Sequence, residues 1–161
     1  MPQKDYFERA IESFARMVAF ILGRADAGDY DRAQLTLDEA AERFVGLSLK
    51  ALDTLSFEGL RSLLWLGGDL DLERCLMLAD LRALEGRLRD GEGNLAQAVR
   101  SYSVAMRLYA EAVGQRGFVV LGEHEELAEV TAERLQEYEL EPEAASALTR
   151  FLAADEEGLA D

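Results

Sequence analysis

At 161 residues, with 49% hydrophobic residues and two prolines, the chain is one domain or one compact array, long enough to bury a core. Its net charge of −15 disfavours phosphate backbones, where Lys and Arg must displace counterions, and equally disfavours anionic membranes. That charge is uneven, because Glu123 to Asp161 holds 13 acidic and 2 basic residues.

Apolar spacing near 3.6 predicts an all-α protein of about seven to eight helices. No run approaches the ~20 apolar residues of a membrane span. Met1-Pro2-Gln3-Lys4-Asp5 lacks the basic-then-apolar layout of a secretory signal. The single cysteine, Cys75, excludes an internal disulfide and fits a reducing cytoplasm. It falls on a packed helix face with no identifiable base, so its expected role is that of a small buried apolar group.

A first helix is expected over about 3–25, with Phe7, Ile11, Phe14, Val18 and Ile21 as core stripe and Ala10, Met17 and Leu22 widening it. Asp26-Ala27-Gly28 ends it, and Asp29 can cap a second helix to about Val45 through Ala33, Leu37, Ala40, Ala41 and Phe44. An irregular helical insert follows over 47–68. Trp65, in its leucine-rich second half, is either a core ring beside the central helix or an aromatic anchor on an exposed apolar patch. Gly67-Gly68 then breaks the chain, and no Gly-Lys-Ser/Thr follows to make a phosphate loop. Asp69, Asp71 and Glu73 lack the sharp-turn glycine of a calcium loop, where Arg74 stands, so Asp69 or Asp71 is expected to cap a helix.

The best-specified stretch is the hairpin 71–113. Its first helix carries Leu72, Cys75, Leu76, Ala79, Ala83 and Gly86 on one face and Leu78, Leu81, Leu84 and Leu88 on another, which predicts packing on more than one side. After the turn Asp90-Gly91-Glu92-Gly93-Asn94, a second helix lines up Leu95, Ala98, Tyr102, Ala105, Tyr109 and Ala112, with Asn94 and Gln97 placed for a capping box.

Gly86, Gly93, Asn94, Ala98, Tyr102 and Ala105 together resemble a tetratricopeptide-repeat (TPR) unit. A partial second copy reads Gly28, Asp29, Tyr30, Ala33, Leu37 and Ala40. The copies are 65 residues apart, whereas TPR arrays repeat every ~34. Neither copy has the signature Trp or the closing Pro, and Ile21 stands where Gly86 stands in the other. The chain is also similar to small bacterial TPR-like proteins without an assigned activity. The resemblance implies antiparallel helical hairpins in an α-α superhelix whose first helices line a concave groove. Asp80, Ala83 and Arg87 would face that groove from the central hairpin, and Val18 and Leu22 from the N-terminal one. Arg87 is the sole cation among them, which does not support the clamp by which some TPR proteins grip a peptide carboxylate.

A seventh helix is expected over 123–139, with Leu127, Val130, Thr131, Leu135 and Tyr138 inward, and a last one from Pro142 to about Ala153. This acidic pair would cap one end of a single 1–153 domain, leaving 154–161 as a disordered tail. Phe118-Val119-Val120-Leu121 reads as an extended connector. The one histidine, His124, is expected to be solvated among Glu123, Glu125 and Glu126. It leaves no second His for a metal centre, no nucleophile elbow occurs, and no cofactor is expected. The expected function is a cytoplasmic, non-catalytic module for protein–protein interaction or self-association, a homodimer being compatible with the broad apolar arc of the first helix. The alternative is a sensor that binds a small ligand or peptide between hairpins. The candidate partner-binding residues are Val18, Leu22, Asp80, Ala83, Arg87 and Trp65.

Overall fold

The computed structural model describes residues 2–160, with the side chains of the first five residues and of Phe7, Leu159 and Ala160 outside the described part. The protein is all-α. Among the described residues there are eight helices, which we number α1 (Pro2–Asp26), α2 (Tyr30–Ala40), α3 (Leu49–Leu52), α4 (Phe57–Leu64), α5 (Leu72–Gly91), α6 (Leu95–Arg116), α7 (Glu125–Leu135) and α8 (Pro142–Ala160). None of them is long and apolar enough to cross a membrane.

Helix α5 is the centre. Every residue from Cys75 to Gly86 is buried, because α6, α2, α1, α4 and α7 all pack on it. Its partner α6 contributes Ala98, Tyr102, Ala105, Tyr109 and Ala112 to the contact, all buried. Leu95, expected on the same face, is exposed in the first turn. The small residues admit the large ones. A Cβ on Gly86 would lie 2.6 Å from the Tyr102 ring, so the ring lies against bare backbone there. Gly91, the last helical residue of α5, makes the same allowance for Tyr30 at the start of α2, with 2.7 Å to its hydroxyl.

The turns before α2 and α6 are built alike. In each a glycine at positive φ (Gly28, 78°; Gly93, 82°) follows the preceding helix. Gly28 N–H donates to Ala25 O and Asp29 N–H to Arg24 O, and Gly93 and Asn94 repeat the pattern onto Asp90 O and Arg89 O. This is the Schellman arrangement, which satisfies the last carbonyls of a helix. The next polar side chain then caps the following helix, Asp29 accepting from Arg32 N and Asn94 from Gln97 N. Helix–turn–helix geometry thus repeats at the two places where the sequence repeats.

Elsewhere the structure departs from expectation. The last turn of the second helix widens into a π-turn, Ala41–Val45, closed by Gly46 at φ 93°. Arg74 from α5 reaches it and donates to the terminal Val45 carbonyl. Trp65 is not in a helix. Trp65–Leu66 and Asp69–Leu70 form a two-stranded ribbon, β1 and β2, with Trp65 opposite Leu70. Gly67 and Gly68 join the strands at φ 60° and 90°, the double positive φ that a type I′ turn requires. The run Phe118–His124 is not extended but 3-10 helical, so only one of its side chains in each turn points inward. Leu121 is buried, Phe118 packs on Phe151 at 5.6 Å, and Val119 is 88% exposed. Gly122, at φ 49° and ψ −118°, turns the chain from there into α7. Helix α8 does not stop at Ala153 but continues to Ala160, and Gly158 sits against Phe118. Asp161 lies outside the described residues.

Gly86→Ala is therefore expected to destabilise the fold by about 1–3 kcal/mol, because the Tyr102 ring cannot retreat while its hydroxyl donates to Asp90 at 3.2 Å. Gly91→Ala meets the far end of the Tyr30 side chain and should cost less. Urea titrations of both variants check the ranking, and an unchanged Gly86→Ala midpoint would refute the close-packing account.

Candidate functional site

Enclosure of the middle of α5 buries three charged residues, Asp80, Arg82 and Glu85, and each is paired. Arg82 is bound to Glu85 and Asp53 at 2.8 Å each, and Glu85 also accepts from Ser101 at 2.9 Å. Asp80 accepts from the Tyr109 hydroxyl on α6 and meets His124 Nδ1, both at 2.5 Å. His124 closes the 3-10 segment before α7, and its ring also lies 6.5 Å from that of Phe14 on α1. One polar cluster thus joins α5, α6 and the entrance to α7, with α1 against it.

His124 is therefore not solvated among its neighbouring glutamates. Its side chain is 14% exposed and Asp80's 6%. Burial works against a charged His124, but the Asp80 hydrogen bond and charge, backed by Glu73 and Glu123, outweigh it and raise the imidazole pKa above its ordinary 6.5. Burial raises Asp80 as well, in opposition to the hydrogen bond and charge of His124 and the hydrogen bond of Tyr109. Burial also pushes the Cys75 thiol up to about 12, reinforced by Glu111 and Asp71, and its Sγ donates to Leu108 O at 3.4 Å. The thiol is accordingly not a nucleophile at neutral pH.

Beside this cluster runs a groove. Val18 and Leu22 of α1 form one wall, and Leu127, Val130 and Thr131 of α7 form the other. Ala83 of α5 and the ring of Tyr102 make the floor, and the enclosed volume is about 240 Å³. The periodicities agree: Val18 and Leu22 are four apart on α1, as Ala83 and Arg87 are on α5, so each pair shares a face. Three polar groups of the lining already have partners. Tyr102 donates to Asp90, Thr131 to Leu127 O at 2.8 Å, and Arg87 pairs with Asp26 at 2.8 Å. Glu123 and Glu126 stand exposed at the α7 side.

Four of the six candidate residues, Val18, Leu22, Ala83 and Arg87, thus meet in one groove. Asp80 does not line it; one turn before Ala83, it is buried in the His124 cluster, because a carboxylate on a fully enclosed helix has to turn to an internal partner. Trp65 is elsewhere, half-buried in the β-ribbon under the Arg61 guanidinium at 5.0 Å, its indole Nε1 buried without a hydrogen-bond partner. Val130, expected inward, is 45% exposed and forms the outer part of the groove wall. Sequence reasoning missed the His124 cluster. The available signal was Asp80 itself, an acid flanked by Ala79 and Leu81 on a helix without a polar face. Among the described residues no group of three or more His, Cys, Asp or Glu is placed to hold a metal ion. The chain matches no protein-family model, no curated protein and no solved structure.

The cluster makes stability pH-dependent with a fixed sign. A histidine whose pKa is raised by folding stabilises fully below its unfolded value near 6.5, and that contribution is lost as pH rises through the folded value. The raised Asp80 works in the same direction, because the folded state holds more protons than the unfolded one above the ordinary 3.8. His124→Ala should cost about 3 kcal/mol in mildly acid buffer by leaving Asp80 without its cation, and less as the pH rises. Denaturant midpoints of both proteins across acid, neutral and alkaline buffers test this; parallel curves would rule the cluster out as the source.

Proposed function

We propose that the chain is a non-catalytic interaction module of the cytoplasm, and that the groove between α1, α5 and α7 is where a partner polypeptide docks. The observation that carries this reading is the convergence of five aliphatic side chains from three helices on one open groove in which Tyr102, Thr131 and Arg87 are already engaged. Apolar surface left uncovered in a groove gains by burial against a partner, at about 25 cal/mol per Å². The TPR resemblance supports the same face, since partners of such proteins lie across the first helices of their hairpins. The proposed compartment rests on Cys75, a lone buried thiol.

A small-ligand sensor is the weaker alternative. The groove, at about 240 Å³, is smaller than the roughly 300–1,000 Å³ typical of small-molecule sites. It suits the anchoring side chain of a longer segment, supplied by another protein or by a second copy of the chain.

Val130→Gln and Arg87→Glu alter the groove at exposed positions and leave the core untouched. Affinity capture from native cell extract should lose its stoichiometric partner with Val130→Gln, by about fivefold or more. Val119→Gln, at an exposed position outside the groove, should capture as the parent does. If Val130→Gln and Arg87→Glu both capture normally, the groove is not the docking face.

A further inference from the structure

The chemistry of the occupant can be narrowed from the charges around the groove, an inference that rests on the docking role proposed above. We infer that the groove takes a polypeptide segment in which an apolar anchor side chain is accompanied by a neighbouring Lys or Arg.

The two sides of the groove are electrostatically unlike. On the α1–α5 side the one cation, Arg87, is neutralised by Asp26 at 2.8 Å. On the α7 side Glu123 and Glu126 are exposed, and among the described residues neither has a basic partner within ion-pair distance. More carboxylates follow along the same helix. Glu129 has its pKa raised by burial and then by the crowding charges of Asp155, Glu125, Glu133 and Glu126. The nearest cation on α7, Arg134, is held by Asp90 at 2.6 Å and Glu137 at 2.5 Å and cannot relieve them. A groove with apolar walls and an acidic rim, whose Glu126 has no ion-pair partner among the described residues, is complementary to an apolar group with a positive charge beside it, and repels an acidic segment.

Spacing sets where that charge must fall. Glu126 and Val130 are four apart on α7, so Glu126 sits one turn from the outer wall of the groove, while Glu123 lines it from the 3-10 segment before the helix. A side chain seated between Val18 and Val130 leaves the next residues of its own backbone within reach of Glu126. A long flexible amine or guanidinium satisfies that distance, with its methylenes lying on Leu127.

The test uses immobilised eight-residue peptides with Leu, Met, Phe or Ala at the centre and Arg, Gln or Glu on either side, probed with the labelled full-length protein. Arg-flanked apolar peptides should bind about threefold to fivefold better than their Gln counterparts, the yield of one exposed ion pair, and the margin should shrink in high salt. Glu126→Lys should invert the preference toward Glu-flanked peptides, and Val130→Gln should abolish binding of all of them. Equal binding of Arg, Gln and Glu peptides, still sensitive to Val130→Gln, would overturn the charge inference and leave the docking groove standing. Binding indifferent to Val130→Gln would overturn the groove itself. Binding of Ala-centred Arg peptides as strong as that of the apolar ones would reduce the site to a nonspecific cation attractor and overturn the inference. So would the absence of binding to any peptide.

Discussion

The structure depends on burying a helix that has no polar side. A helix with apolar residues all round gains by being enclosed, but hydrophobicity alone does not say which way it should be turned. In α5 the three buried charges supply that information. Asp80 points to Tyr109 and His124, Arg82 to Asp53 and Glu85, and Glu85 to Ser101, so the partners lie on α6, on the insert and before α7. Rotating α5 by one residue would leave each charge facing hydrocarbon, at a penalty of several kcal/mol per group. These pairs therefore act as register marks more than as a source of net stability.

The enclosure of α5 also explains the groove. Helices α1 and α7 both pack on α5, and between them the surface of α5 is reduced to Ala83, with the Tyr102 ring beside it. A larger residue at 83 would fill the space. The small side chain that permits close packing elsewhere along α5 thus leaves an opening where no neighbouring helix covers it. The His124 cluster lies at one end of that opening, tying the start of α7 to α5.

Much of this was legible in the sequence because it is encoded locally. The three- and four-residue spacing of Ala98, Tyr102, Ala105 and Tyr109 marks a helix face, and Gly28-Asp29 and Gly93-Asn94 mark stops followed by caps. Four groove residues were implied by the TPR resemblance, and helical periodicity puts each pair on one face of its own helix. What could not be read was long-range or depended on turn geometry. His124 and Asp80 are 44 residues apart, and His124 sits among acids that make a solvated reading natural. Gly67-Gly68 reads as a chain break, and only the pairing of Trp65 with Leu70 makes it a hairpin turn. The continuation of α8 is not local either: Asp155, Glu156 and Glu157 tolerate a helix, and the distant Phe118 gives Gly158 something to pack on.

The setting of Cys75 has a practical side. Enclosed against Leu108 and held as a thiol far above neutral pH, it is silent toward maleimides and other thiol reagents that need a reachable thiolate. A cysteine placed on the surface, at Val119 or on the rim at Glu126, would then be the one reactive sulfur among the described residues. The protein can thus carry a single dye or spin label without first being stripped of its native thiol. Distance and mobility at the groove can be followed in the otherwise unaltered chain.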